Sequence, residues 1–600
     1  MASGRSYIGL ATSAHDSALA IVSSNGQVVF AEATERPMQL KRAFNLVPDL
    51  VQRTSQRIQE FCEPDAPIVA AFSWQQQDTE ANRNLIRNLT ASVRGNHDAA
   101  TPSVYGTWVA SLFSLRSHVR MGELAGQALE SELLRLPSWR AYRVERRRYQ
   151  HHLTHAAAAC FTSPFENAVC AILDNYGEKG AYAFYHYTNG ELREIVSPLR
   201  ASGVRTGSLG EFYDLVCELC GFDHQAGEEW KVMGLAAYGR HDESVYQLLR
   251  GMLVVDGLDL RRPDLYQQFA AQRKLEQLRR KRGQPALAMA DVAFTGQKVF
   301  TEILYELLRN LRTLGLSRNL VLGGGCALNS SANGGVLEHT GFEDCYVFSA
   351  PGDDGNAVGA ALLAYREDHP QAAVRRPWQS PYLGSTMSRE TLQSVRRFGC
   401  IPGLSVCKDD APERAAQLLA HGCIIGWIQG RAEFGPRALG NRSILADPRS
   451  PDVKERINAR VKFREEFRPF APSILHQFGA EYFEHYHESP YMERTLRLKP
   501  AVRHKVPGVV HEDGTGRLQT VKKEWNEPFY RLIYRFYELT GVPLVLNTSF
   551  NVMGKPIAHS VEDVLAVFYT SGLDAVFIED TLIQKVPAAA PQPRATAYAT

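Results

Sequence analysis

His151-His152-Leu153-Thr154-His155 sets two imidazoles four residues apart and runs straight into the small-residue stretch Ala156 to Ala159. On a helix His151 and His155 share one face and converge on a single ion, while the alanines allow close packing against a neighbour. Such a pair needs carboxylates. Asp174, closing the apolar run Ala168 to Leu173, is one candidate, and Asp353 in Pro351-Gly352-Asp353-Asp354-Gly355 is another. Two imidazoles with carboxylates and no thiolate favour Fe(II), Mn or Zn over a structural zinc finger. A satisfied structural histidine pair is the bland alternative. The second chemistry in the chain is anion binding. Gly323-Gly324-Gly325-Cys326-Ala327-Leu328-Asn329, after the strand-like Leu320 to Leu322, offers bare backbone N–H groups suited to phosphate or adenosine. Gln429 to Ser443 packs three arginines and three glycines into one loop, and Lys462 to Pro472 adds three more cations. Asp513 to Val521, with Arg517, and Pro543 to Asn551, with Asn547 and Ser549, follow. Arginines on glycine-rich loops suit a small polyanion, because the planar fork engages phosphate oxygens two at a time and glycine permits close approach. No G-x-x-x-x-G-K-[ST] occurs, which excludes a P-loop.

The elements that must position these groups repeat. Tyr7 to Ala11 reads as a strand, followed by the polar turn Ala14-His15-Asp16-Ser17, a strand Ala18 to Val22, the turn Asn25-Gly26 and a strand from Val28. The same order returns from Ala168: a strand to Asp174, the turn Tyr176 to Gly180, a strand Ala181 to Tyr187, the turn Asn189-Gly190 and a strand Leu192 to Val196. A duplicated α/β domain with its cleft between the halves is predicted, the polar turn of each copy pointing at one ligand. Between the copies, 84–118 is irregular and Met121 to Leu136 is expected to be helical. Phe300, Ile303, Leu304, Leu307, Leu308, Leu311 and Leu314 form a helical core stripe. Cys217-Glu218-Leu219-Cys220 reads as two buried positions on one helix. A proline-bearing stretch, 367–382, divides a domain 1–366 from a domain 383–586, and the Ala/Pro tail 587–600 is expected to be disordered.

Six hundred residues exceed one core, so two domains are the minimum. With 67 basic and 65 acidic side chains, the formal charge is only +2, which removes the electrostatic case for nucleic acid or an anionic membrane surface. No signal peptide or membrane-length apolar run is read, and ten scattered cysteines fit a reduced, cytoplasmic protein.

The motifs, taken together and in order, carry a resemblance. Ala14-His15-Asp16-Ser17-Ala18, His151 to Ala156, Trp230-Lys231-Val232-Met233-Gly234-Leu235, Gly352 to Gly355, Phe434 to Ser443, Phe467 to Pro472 and Asn547-Thr548-Ser549-Phe550-Asn551 resemble the ATP-dependent O-carbamoyltransferases of the NodU/CmcH type. The resemblance covers the chain to about Val586. It implies an N-terminal actin-like (ASKHA) domain joined to a C-terminal YrdC-like α/β domain. It also implies a two-stage reaction: carbamoyl phosphate and ATP, with Mg2+, give carbamoyl adenylate in the C-terminal domain, and the carbamoyl group passes to a hydroxyl of a natural-product acceptor in the N-terminal domain.

Carried onto this chain, the resemblance makes His151, His155, Asp174 and Asp353 ligands of Fe(II) or another divalent metal. His15 faces the acceptor hydroxyl, with Asp16 as its orienter. Lys41, Gly325 and Asn329 line the nucleotide or carbamoyl-adenylate pocket, and Arg437, Arg442, Lys462, Arg468, Arg517, Asn547 and Ser549 grip carbamoyl phosphate and the ATP phosphates. Two departures stand out. Arg42 follows Lys41 where the family more often has histidine, and Ala237 stands where proline is common; neither is expected to touch the chemistry. The partners implied are carbamoyl phosphate, ATP and a hydroxylated small molecule, without nucleic acid or membrane. A homodimer is one assembly open to the chain. A tRNA threonylcarbamoyl-type enzyme and a non-catalytic actin-like scaffold are the competing readings.

Overall fold

The computed structural model describes residues 4–75 (less 53 and 65), 90, 117, 120–122, 124–135, 144–197, 207–263, 265–372, 379–407 and 410–585. Most of 84–118, the centre of the expected linker and the tail after 586 lie outside these residues.

The first sheet is built from β1 (Ser6–Ala11), β2 (Ala18–Val22), β3 (Val28–Ala33), β4 (Ile68–Phe72) and β5 (Glu145–Arg148) in the order β3-β2-β1-β4-β5. β1, β2 and β3 pair antiparallel, whereas β4 joins β1 and β5 joins β4 in parallel. The second half supplies β6 (Asn167–Gly177), β7 (Gly180–Thr188) and β8 (Glu191–Ile195). After a small two-stranded hairpin, β9 (Val254–Asp256) and β10 (Asp259–Arg261), come β11 (Asn319–Gly323) and β12 (Asp344–Val347). The second sheet runs β12-β11-β6-β7-β8, again with three antiparallel strands followed by two parallel ones. Strand for strand, the two halves match, so the duplication expected from the sequence is the architecture of the N-terminal domain: two actin-like α/β halves. Asn189 and Gly190 both take positive φ, as a two-residue hairpin turn between right-twisted strands demands.

Each half ends in a helix after its fifth strand: His151–Thr162 in the first and Asn356–Asp368 in the second. These two helices pack against each other across the centre of the domain. A Cβ on Gly359 would stand 1.9 Å from the Thr154 carbonyl oxygen, so only glycine admits the contact. Ala156 to Ala159 are all buried there. The long helix Ala290–Thr313 buries Phe300, Ile303, Leu304, Leu307, Leu308 and Leu311 as the stripe predicts, but Leu314, just past its end, is 44% exposed. Within the expected helix Met121 to Leu136, a regular helix spans Gln127–Arg135, with Asp49 accepting hydrogen bonds from the Gly126 and Leu129 amides at its start. Cys217 and Cys220 are buried at the end of the helix Leu209–Leu219, and all ten cysteines are free.

The C-terminal domain is one mixed nine-stranded sheet. Its strands are β13 (Leu404–Val406), β14 (Ile425–Ile428), β15 (Arg442–Ala446), β16 (Ala471–Leu475), β17 (Arg494–Arg497), β18 (Thr515–Val521), β19 (Leu544–Ser549), β20 (Ala575–Ile578) and β21 (Thr581–Gln584). Their order is β13-β21-β20-β14-β15-β19-β16-β18-β17. β14, β15, β16 and β20 are buried at every position; β14 and β20 are apolar runs without alternation, whereas β15 and β16 also bury Arg442, Ser443 and Ser473. The chain stays in the first body past the expected boundary: the Asn356 helix continues to Asp368, two residues into the stretch expected to be linker.

The two domains meet through backbone. Cβ atoms on Gly435 and Gly334 would stand 2.1 Å from the Ser349 oxygen and 2.0 Å from the Thr495 oxygen. Arg36 donates to the Gly435 carbonyl at 2.7 Å, Asn333 to the Glu493 carbonyl at 3.0 Å, and Arg494 to the Cys345 carbonyl. Among the described residues no helix is long and apolar enough to cross a membrane.

Candidate active site

One cleft of about 3420 Å³ is lined by both domains. Asp174 and Asp353 line its N-terminal wall, and behind them, buried, lie His151 and His155, one turn apart at the start of their helix, whose first amide is held by the Glu178 carboxylate at 2.8 Å. Asp174 arrives from β6, the first strand of the second half, and Asp353 from the 3-10 turn before the Asn356 helix. His151 Nε2 lies 3.1 Å from Asp174 Oδ2 and 3.4 Å from Asp353 Oδ1; for His155 Nε2 the distances are 3.4 and 3.3 Å. The two Nε2 atoms are 3.3 Å apart. Donors about 2.1 Å from one ion stand about 3.0–3.4 Å apart, whether tetrahedral or octahedral neighbours, so this set fits a divalent metal. Burial alone would raise both carboxyls, yet the imidazoles hold Asp174 and Asp353 below the usual carboxylate range. Against the cost of burial, the carboxylates push His151 up to about 10 and raise His155 as well. Two negative charges in a dry site thus call for two positive charges, as two protons or one divalent ion.

His15, from the turn after β1, places Nδ1 2.9 Å from Asp16 Oδ2 and 3.8 Å from Asp353 Oδ2. The polar turn of the first half and the end of the first strand of the second half therefore reach the same centre. Asp16, at φ 53°, is held in turn by Arg42, whose Nε lies 3.3 Å away. Burial opposes ionisation of Asp16, but Arg42 and His15 keep its pKa below the normal value. Arg42 also donates to the His224 and Gln225 carbonyls at 2.9 and 3.3 Å and lies over the Phe44 ring at 5.4 Å. The expectation that the change at position 42 is remote from the chemistry is corrected: Arg42 ties the His15–Asp16 turn to the 222–229 loop.

Gly325 donates its amide to Asp174 Oδ1 at 3.2 Å, which joins the glycine-rich turn to the metal cluster. Asn329 borders the cleft, but its amide is engaged with Gln297 and with the Ala332 N–H that it caps. Lys41 is exposed on the cleft wall.

On the C-terminal wall, Arg437, Arg464 and Arg517 face one another. None forms an ion pair among the described residues, and burial lowers Arg437 to about 10 and Arg464 to about 9. Burial pushes Arg517 down too, and the charges of Arg437 and Arg464 push it further. His511, on the same wall, is lowered to about 4, chiefly by burial, and is neutral at pH 7. Glu465, itself paired with Arg468, is the carboxylate whose charge reaches Arg464, so three crowded guanidinium groups without an ion pair among the described residues suit an anion. Asn547 is 1% exposed, and no partner for its Oδ1 is found among the described residues. Arg468 is paired with Glu465 at 2.5 Å and stacked 4.4 Å from Trp230 of the other domain. Arg517 and Asn547 lie on β18 and β19 rather than on loops.

Two expected anion ligands are engaged by other groups of the protein. Arg442 is fully buried and donates to the carbonyls of Ser385, Gln429, Gly430 and Asn441, which leaves it a brace under the loop rather than a cleft residue. Lys462 borders the cleft, but its ammonium is spent on the Ser549 carbonyl and hydroxyl and on Asn551. Ser549 in turn donates its hydroxyl to Asn551 Oδ1 at 2.8 Å. Arg464 and Asn551, which the sequence reading left without a role, stand beside these groups; both lay inside motifs already singled out. Asn356 gave no signal.

The N-terminal wall carries metal-type donors, and the opposite wall carries three guanidinium groups without an ion pair among the described residues. The profile of the carbamoyltransferase N-terminus matches residues 77–362, and that of the carbamoyltransferase C-terminus matches residues 416–585. Nodulation protein NolO of Bradyrhizobium diazoefficiens is 37% identical over 455 residues, covering 73% of this chain and 79% of its own. This chain belongs to the carbamoyltransferase family. Nodulation protein NolNO of Sinorhizobium fredii is 37% identical over 450 residues, 72% of this chain; the match spans 63% of the longer NolNO. Among solved structures, full-length HypF in its phosphate- and nucleotide-bound form is 13% identical, covers 62% of this chain and 56% of its own, and has a TM-score of 0.34. So distant a likeness leaves the fold to the sheet order itself.

Proposed function

We propose that this carbamoyltransferase makes carbamoyl adenylate from carbamoyl phosphate and ATP at the arginine wall and transfers the carbamoyl group to an acceptor hydroxyl at the histidine–aspartate wall. The observation that carries the reading is the pairing of these two unlike sites across one cleft. Arg437, Arg464 and Arg517 bind the phosphates, and the Asn547 amide orients the carbamoyl end. Water cleaves carbamoyl phosphate to carbamate and phosphate; a carbamate oxygen then attacks the α-phosphorus of ATP, and pyrophosphate leaves. Splitting the work shields a labile mixed anhydride inside the protein. In the second step the acceptor oxygen attacks the carbamoyl carbon, the bond to AMP breaks, and the hydroxyl proton passes to His15 Nε2, since Nδ1 faces Asp16. His151, His155, Asp174 and Asp353 would hold the metal, which supplies a Lewis acid for the adenylate phosphate. The acceptor is a hydroxylated small molecule.

Pyrophosphate release from ATP, measured with and without carbamoyl phosphate before any acceptor is added, tests the first half. Arg437→Ala should lower that release by about 10²- to 10³-fold, whereas His151→Ala should retain it and lose transfer. Loss of transfer alone in both variants would sink the assignment of the two steps to two walls.

A further inference from the structure

We infer that Asn356 is the outer-sphere partner of the metal site, its amide oxygen accepting the Nδ1–H of His151 and so fixing the tautomer that presents Nε2 to the ion. The inference rests on the metal reading of the histidine–aspartate cluster.

Asn356 is the first residue of its helix, three positions after Asp353, and is fully buried. At that spacing the two side chains leave the same side of the chain toward the histidine helix. The Asn356 amide nitrogen lies 3.1 Å from His155 Nε2 and 3.4 Å from His151 Nδ1. Its oxygen is buried, and no partner for it is found among the described residues.

A metal changes what this amide can bond. With His155 Nε2 ligated, the lone pair facing the amide nitrogen is gone, and that donor has nothing to donate to. With His151 Nε2 ligated, its Nδ1 must carry the proton and needs an acceptor. Among the described residues, the hydrogen-bonding group found beside Nδ1 is this amide. Amide oxygen and nitrogen are nearly alike in size, so half a turn about the last side-chain torsion exchanges them in place. The exchange puts the acceptor against Nδ1–H and gains one hydrogen bond where the other orientation has none. A buried amide with an orphaned oxygen is costly in the metal-free protein, and this bond gives that oxygen a partner.

The test uses the full chain and Co(II) alone. Affinity is read by competition with a chromophoric chelator, and geometry by the ligand-field spectrum of bound Co(II). Asn356→Ala should weaken Co(II) binding by about 10- to 100-fold and change the spectrum. Asn356→Asp, which keeps an acceptor at Nδ1, should bind within about threefold of the unaltered chain or more tightly. If the alanine variant misfolds, Asn356→Leu fills the volume without an acceptor and should show the same loss. Unaltered affinity and spectrum in a folded acceptor-free variant, or no rescue by aspartate, would overturn the inference. Failure of the unaltered chain to bind Co(II) would instead remove the metal reading, and this inference with it.

Discussion

Arg42 shows how much one side chain can organise. It adopts φ 59°, and Gln39, Ala43 and Asn45 nearby also take positive φ, as does Asp16 opposite. Non-glycine residues hold such conformations only where their surroundings over-determine them. Here reciprocal backbone bonds do so: the Asp16 amide donates to the Arg42 carbonyl at 2.7 Å, and the Asn45 amide to the Ala14 carbonyl at 2.9 Å. The guanidinium adds Asp16, His224 and Gln225. Arg42→Ala strips a partly buried carboxylate of its cation and two carbonyls of their donor, and should cost about 2–3 kcal/mol. The thermal midpoint should fall accordingly, and Arg42→Lys should recover under half, because an ammonium cannot span three acceptors as the fork does. An unchanged midpoint in the alanine variant would show that the backbone bonds alone hold the turn.

The geometry of the four metal-type donors depends on how two helices meet. The histidine helix and the Asn356 helix cross with backbone nearly touching at Gly359 and Thr154, and β1 comes as close to the second helix at Gly9, where a Cβ would stand 1.8 Å from the Ala357 oxygen. Any Cβ at these positions pushes one pair of donors away from the other. Gly359→Ala should therefore destabilise the protein by about 2–3 kcal/mol through overpacking. Co(II) affinity should drop too, although residue 359 touches no ligand. A variant with the midpoint lowered and the affinity kept would mean that the helix shifts along its axis without separating Asp353 from the histidines.

The two domains form one body through contacts that side-chain chemistry alone would not suggest. Glu32 on β3 is 4% exposed and accepts from both the amide and the hydroxyl of Ser385 at 3.0 Å, at the entrance to the C-terminal domain. Its carboxylate also lies 3.6 Å from His559, beyond β19. Hydrogen bonds to a buried carboxylate contribute about 1.5–3 kcal/mol each. Glu32→Ala should weaken the docking enough for calorimetry to show the domains melting in two steps, with pyrophosphate release less affected than transfer. A single unchanged transition would place the docking strength in the glycine contacts at 334 and 435.

The amino-acid sequence by itself determined the duplicated strand order, the α/β class, most of the core stripe of the long helix and the histidine pair His151 and His155, and it offered Asp174 and Asp353 as candidate carboxylates that the family resemblance joined to that pair. The first four follow from local periodicity, from turn residues with positive φ, or from residue type at helical spacing. The family's motifs extended that reading to the second domain. Only the tertiary structure decided which polar groups remain available. Arg437 and Arg442 sit in one loop and look alike in sequence, yet the first faces the cleft without an ion pair while the second is consumed by four carbonyls. Lys462 is likewise engaged, and Arg464, two residues on, lacks an ion pair among the described residues. Asn356 and Arg42 acquire meaning only from partners about 200 and 26 positions away. The physical reason is that hydrogen bonds are satisfied mainly by backbone groups, and which carbonyls reach a given side chain is fixed by packing between distant elements.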